Sequence, residues 1–167
     1  MYDWLMTYIP PSCTEIFDYT HHCIGVQNVN VCKLLICISS FYLDVCFVFM
    51  WIHAYIHSDF SYVTILFYGL STRFVLQCIH RIPPPNGMIW VHPGISSLTV
   101  SYKTTHDMFF SGHVYSSLVY ASLLEKYIGY FAHIGPLFQS VVMIMTRSHY
   151  FMDIYAAFMT FYYFSDT

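Results

Sequence analysis

Apolar and aromatic residues run almost unbroken through five stretches of this chain, 31–56, 60–80, 114–124, 128–145 and 150–164, and polar residues gather between them. A membrane-crossing helix needs about 20 predominantly apolar residues, because the hydrocarbon layer is about 30 Å thick. The first two stretches meet that length, and the others approach it once their polar ends are counted. The pattern predicts an all-α polytopic transmembrane helix bundle of about five spans. Residues 31–167 form the membrane domain. Residues 1–30, with Pro10-Pro11 and His21-His22, read as an interfacial or loop segment before it.

Composition supports a membrane as the solvent. Of 167 residues, 57% are hydrophobic and only 9% are charged, against about 25% charged in an ordinary soluble domain. Six Lys and Arg against nine Asp and Glu leave no basic stripe, so nucleic acid is excluded as a partner. The six cysteines, Cys13, Cys23, Cys32, Cys37, Cys46 and Cys78, form no CxxC pair. They predict neither a disulfide framework nor a zinc site. Between the second and third spans lies the longest polar connection, 81–110, broken by Pro83-Pro84-Pro85-Asn86-Gly87 and Pro93-Gly94. A loop of that length is uncommon unless it has a task. With five crossings, Lys33, Arg81, Lys103 and Arg147 share one side and Lys126 lies on the other, which makes the first side cytoplasmic by the positive-inside rule.

Charge inside a span is costly and is usually paired or functional. Asp44 and Arg73 are such residues, at comparable depth in neighbouring spans. Two expectations stand: an ion pair between them, or Arg73 reaching a substrate phosphate. His53 and His57, with Asp59 nearby, have the spacing of metal ligands, but their place at the end of a span reads as ordinary interfacial polarity.

The candidate chemistry lies in Ser111-Gly112-His113 and Arg147-Ser148-His149-Tyr150-Phe151-Met152-Asp153. His113 opens the third span and His149 opens the fifth. Two crossings separate them, so both reach the same membrane face. Ser111-Gly112 precedes a helix start, where unsatisfied N–H groups and the helix dipole favour an anion. His149 and Asp153 are spaced to share one helix face and hydrogen-bond, which would fix the imidazole tautomer, as in nucleophilic sites. Arg147 offers a permanent charge suited to phosphate oxygens. The competing reading makes both histidines interfacial residues at helix ends.

These residues resemble the second and third signatures of the type 2 phosphatidic acid phosphatase superfamily. The longer string from His106 through Asp107 to His113, followed by His149-Tyr150 and Asp153, is similar to one branch. That branch holds the sphingomyelin synthases and the plant phosphatidylcholine–diacylglycerol cholinephosphotransferases, whose members carry an acidic residue where Asp107 stands. The stretch from Arg81 to Trp90 resembles that branch's first conserved region, although the superfamily's own first signature is not present in its usual form. The resemblance covers roughly residues 31–164, and it implies six spans, the first of which would be missing here.

The resemblance implies transfer of a phospho-head-group, most simply phosphocholine, through a phosphohistidine. His149 is then the nucleophile, His113 the general acid and base, and Asp153 the orienting carboxylate. Arg147, Ser111 and Gly112 would hold phosphate oxygens, with Asp107, Arg73 and Arg81 as further candidates. The implied partners are a phospholipid donor and a lipid hydroxyl acceptor of the diacylglycerol or ceramide class, with no metal and no cofactor. The implied location is an integral, multi-pass position in the endomembranes (ER or Golgi) or the plasma membrane. Two alternatives stand beside it: a lipid phosphate phosphatase with water as acceptor, and an inactive bundle or truncated fragment.

Overall fold

The computed structural model describes residue 21 and residues 28–79, 87–89, 91–102 and 110–166. Asp107, Arg81, Lys103 and most of the 1–30 segment lie outside these. Among the described residues the secondary structure is entirely helical. Helix α1 is Val29–His57, α2 Ser61–Ile79, α3 Gly112–Ile128, α4 Ile134–Met145 and α5 Phe151–Ser165, with a 3-10 turn over Gly129–His133. The five helices fall on the five expected spans.

Among the described residues, three helical stretches are long and apolar enough to cross a membrane: Val29–His57, Ser61–Ile79 and Gly112–Met145. The last is not one rod. Gly129 takes a φ of 58°, a left-handed turn open to glycine at little cost. The chain reverses there and packs α4 back along α3. The fourth helix therefore starts at Ile134, later than the apolar run alone predicts. Pro136 falls in its first turn, where a missing N–H is tolerated.

These sequences are rich in aromatic and β-branched residues, which are mediocre helix formers in water. In lipid, however, every backbone polar group must be satisfied internally, and a helix does this within one segment. Large apolar side chains face outward accordingly: Leu34, Ile38, Phe41, Val45, Val48 and Ile52 form an exposed stripe along α1. This is a membrane protein turned toward its solvent.

Helix α3 is the hub. Val114, Tyr115, Val119 and Ala121 are wholly buried, and α4, α1, α2 and α5 surround it in that spatial order. Small residues set the close approaches, as is usual where packing replaces the hydrophobic drive. A Cβ on Gly69 of α2 would lie 1.9 Å from Tyr115 Cζ, so only glycine admits that ring. The Tyr115 hydroxyl then donates to the Ile65 carbonyl at 2.7 Å. Between α1 and α4, Ser39 Oγ donates to Gln139 Oε1 at 2.6 Å and Gln139 Nε2 donates back to the Ser39 carbonyl at 3.0 Å. Both groups are buried and mutually satisfied, which avoids the cost of orphaned polar atoms.

The Asp44–Arg73 ion pair expected from the sequence does not form. Asp44 Oδ1 instead accepts from Ser97 Oγ at 2.8 Å, Thr99 N at 2.9 Å and Thr99 Oγ1 at 2.7 Å, and both its oxygens lie 3.1 Å from Leu98 N. The reason is local. A loop folds onto the bundle and offers backbone N–H groups and hydroxyls, which stabilise a carboxylate without burying a second charge.

Candidate functional site

The site grows from the junction of α4 and α5. The Ser148 N–H donates to the Met143 carbonyl at 3.1 Å and the Arg147 N–H to the Ile144 carbonyl at 3.0 Å. This is the Schellman pattern that ends a helix. Its turning position is normally glycine. Here it is Arg147, at a φ of 50°, a conformation costing an L-residue about 1–2 kcal/mol. The turn delivers Ser148 and His149 into the bundle, where both are buried. The Ser148 hydroxyl is held against Met143 Sδ at 3.1 Å.

Helix α5 then begins after Tyr150. The Asp153 carboxylate accepts the Tyr150 N–H at 3.0 Å and lies 3.3 Å from His149 Nδ1. One oxygen thus caps the helix and fixes the imidazole. The side chains of His149 and Asp153 are only 6% and 5% exposed, so the pair is shielded from water.

The first motif is tied directly to the second. The Ser111 N–H donates to the Asp153 carbonyl at 3.0 Å. Ser111 itself is wholly buried and serves as the N-cap of α3, its hydroxyl 3.5 Å from the Val114 N–H. Arg73 of α2 reaches the same place: its Nε donates to the Phe110 carbonyl at 3.0 Å. A Cβ on Gly112 would sit 3.2 Å from that nitrogen, so the glycine lets the guanidinium lie against the start of α3.

These residues border a cavity of about 320 Å³. Arg73, Gly112, His113, Ser148 and His149 line one part of it. Leu43, Phe47, Leu66, Leu70 and Tyr120 line another, and Met88 with Leu98, Thr99, Val100 and Ser101 supply a third wall. Helical rise separates the polar and apolar parts: Leu66 is about 10 Å along α2 from Arg73, and Tyr120 about 12 Å along α3 from Gly112. The cavity is polar toward the α4–α5 junction and apolar toward the bundle centre.

The sequence candidates thus sort into three positions. His113, His149, Gly112 and Arg73 are on the cavity wall, and Asp153 stands behind His149. Ser111 and Arg147 are not wall residues: Ser111 is a buried cap, and the Arg147 guanidinium lies beside Gly87. A Cβ there would be 3.0 Å from Arg147 Nη1 and 3.5 Å from His21 Nε2. Asp107 and Arg81 lie outside the described residues. Sequence reasoning missed Ser148, Ser116 and the 97–101 wall. The polar alternation Ser97, Thr99, Ser101 in the long loop, set beside an intramembrane carboxylate, was the available signal. His21, to which no role was assigned, is buried and donates from Nδ1 to the Met145 carbonyl at 2.9 Å.

No protein-family model, curated protein or solved structure matches the chain. Its function rests on the site's own chemistry.

Proposed function

We propose that this membrane bundle transfers a phospho-head-group, phosphocholine being the simplest, from one lipid to the hydroxyl of another. The observation that carries the reading is the pair His113 and His149 on one cavity wall with Arg73, with the Asp153 carboxylate behind His149. With Nδ1–H directed to Asp153, the other nitrogen of His149 holds the lone pair that attacks phosphorus. The bond from phosphorus to the departing lipid oxygen breaks, and protonated His113 gives that oxygen its proton. The acceptor hydroxyl next loses its proton to His113 and attacks the phosphohistidine. The N–P bond breaks and His149 is restored.

Arg73 and the N–H groups opening α3 hold the phosphate oxygens, whose charge such donors favour. Arg147 acts through the backbone turn that leads α4 into α5, and Ser111 through the hydroxyl that caps α3. The apolar part of the cavity favours a lipid acceptor over water, which sets transfer above phosphatase action.

Purified protein in vesicles containing head-group-labelled phosphatidylcholine and a ceramide acceptor should release diacylglycerol and form a second, labelled choline-bearing lipid, and His149→Ala should abolish both. Free phosphate released from phosphatidic acid instead would select the phosphatase. Turnover of neither substrate would overturn the enzyme reading.

A further inference from the structure

A second space adjoins the histidine cavity. It is a groove of about 460 Å³ between α1 and α2, and it shares Phe47, Leu66 and Leu70 with the cavity wall. Beyond those residues it continues past Trp51, Phe67 and Phe74, all of them exposed on the lipid-facing side of the bundle. Polar at one end and apolar at the other, the two spaces together have the character of a lipid.

Its shape and lining select the occupant. The groove residues on α2 run from Val63 to Val75, about 18 Å at 1.5 Å per residue. The space is a long slot whose lining is apolar apart from Ser71, the shape and chemistry of a hydrocarbon chain. Among the described residues, two other walls of the cavity are packed. The 97–99 loop is bound to Asp44, and the α3 and α5 sides are closed by packed Val114, Val119 and Ala157. Helix α2 buries only Leu66 and Gly69, so its contact with α1 is the loosest wall.

We infer that this groove holds one acyl chain of the lipid whose head group occupies the histidine cavity, and that the lipid enters sideways from the bilayer between α1 and α2. The inference rests on the transfer reading for the head group, while the tail site is testable alone. Lipid tails elsewhere are equally apolar, so the groove adds no hydrophobic drive. Its effect is positional: it sets the depth at which the phosphate meets the two histidines.

The test uses the full chain in vesicles containing a ceramide acceptor and phosphatidylcholine with a diazirine midway along one acyl chain, and crosslinked peptides mapped by mass spectrometry. Groove residues Phe47, Trp51, Leu70 and Phe74 should be labelled several-fold over Leu34, Ile38, Phe41 and Val45, which face lipid on the opposite side of α1. Ser71 lines the groove but not the cavity. Ser71→Trp, or the milder Ser71→Leu, should fill the groove and remove the excess while circular dichroism stays helical. Equal labelling of both faces, or an excess that neither substitution reduces, overturns the tail site. Head-group turnover is read in the same vesicles. Groove labelling without turnover removes the transfer reading and leaves the tail site standing; turnover with even labelling does the reverse.

Discussion

Among the described residues the bundle carries three histidine–carboxylate pairs, His53–Asp59 and His133–Glu125 toward one end and His149–Asp153 at the other, and of these His149 is the histidine that borders a cavity lined by further polar groups. At the far end His53 Nε2 lies 3.9 Å from Asp59, which lies 3.9 Å from Lys126. At the near end His149 lies 3.3 Å from Asp153. The far pair opens to its surroundings, with the side chains of Asp59 and Lys126 36% and 53% exposed. The His53 ring is packed among His57, Tyr62 and Tyr127, and its Nδ1 shares a 2.8 Å hydrogen bond with the Tyr127 hydroxyl. The near pair is buried, and its histidine lines the space that also holds His113 and Arg73. Residue type is alike at the two ends. What separates them is whether the ring faces packed aromatics or a cavity.

That contrast is broken most severely at the rings themselves. His149→Ala should abolish turnover. His113→Ala should lower it by about 10²- to 10⁴-fold, the range a positioned acid or base supplies. His53→Ala should leave it unchanged in the same vesicle assay. Loss of turnover in His53→Ala, with helicity intact, would mean the two ends had been assigned the wrong way round.

The next effect falls on the cavity wall. Asp44→Ala should cost about 1.5–3 kcal/mol, the range for hydrogen bonds to a charged acceptor. Thermal unfolding in detergent measures the loss. Amide exchange at Leu98 and Thr99 should accelerate in the same variant, and unchanged exchange there would show that the carboxylate does not hold the loop.

A smaller change separates backbone from side chain at the α4–α5 turn. Arg147→Gly relieves a left-handed residue and should stabilise the fold by about 1 kcal/mol. If Arg147 acts through its backbone, turnover persists as the melting temperature rises. A large loss of turnover would return the guanidinium to the phosphate.

The smallest effect belongs to the far end. The hydroxyl and amide of Ser61 hold the Asp59 carboxyl below its usual pKa. Any stabilisation is therefore present above the unfolded carboxylate pKa and lost as pH falls through the folded one. At so exposed a position the surrounding water screens the interaction. Asp59→Asn should leave the melting temperature unchanged at neutral pH, and a clear drop would show that the far cluster is a structural staple.

The spans were legible because lipid enforces a simple rule: apolar side chains outside and backbone bonds within each helix. Their boundaries were less so, since Gly129 ends α3 inside a run that reads as continuous apolar sequence. The pairing of His149 with Asp153 followed from helical spacing, and the approach of residues 113 and 149 from two crossings. The fate of Asp44 did not follow. Its partners are backbone N–H groups of a loop, and sequence pairs charge with charge more readily than charge with amides. Arg147 and Arg73 exchanged places for a similar reason. A motif marks which arginine is near in sequence, whereas the cavity takes the one whose helix faces it.

The covalent intermediate is the most direct test of the two-histidine site. Protein quenched during turnover of a phospholipid labelled in its phosphate should carry label on His149 as an acid-labile, base-stable adduct, absent from His149→Ala. Steady turnover with no labelled protein, or label on a residue outside the cavity, would contradict it.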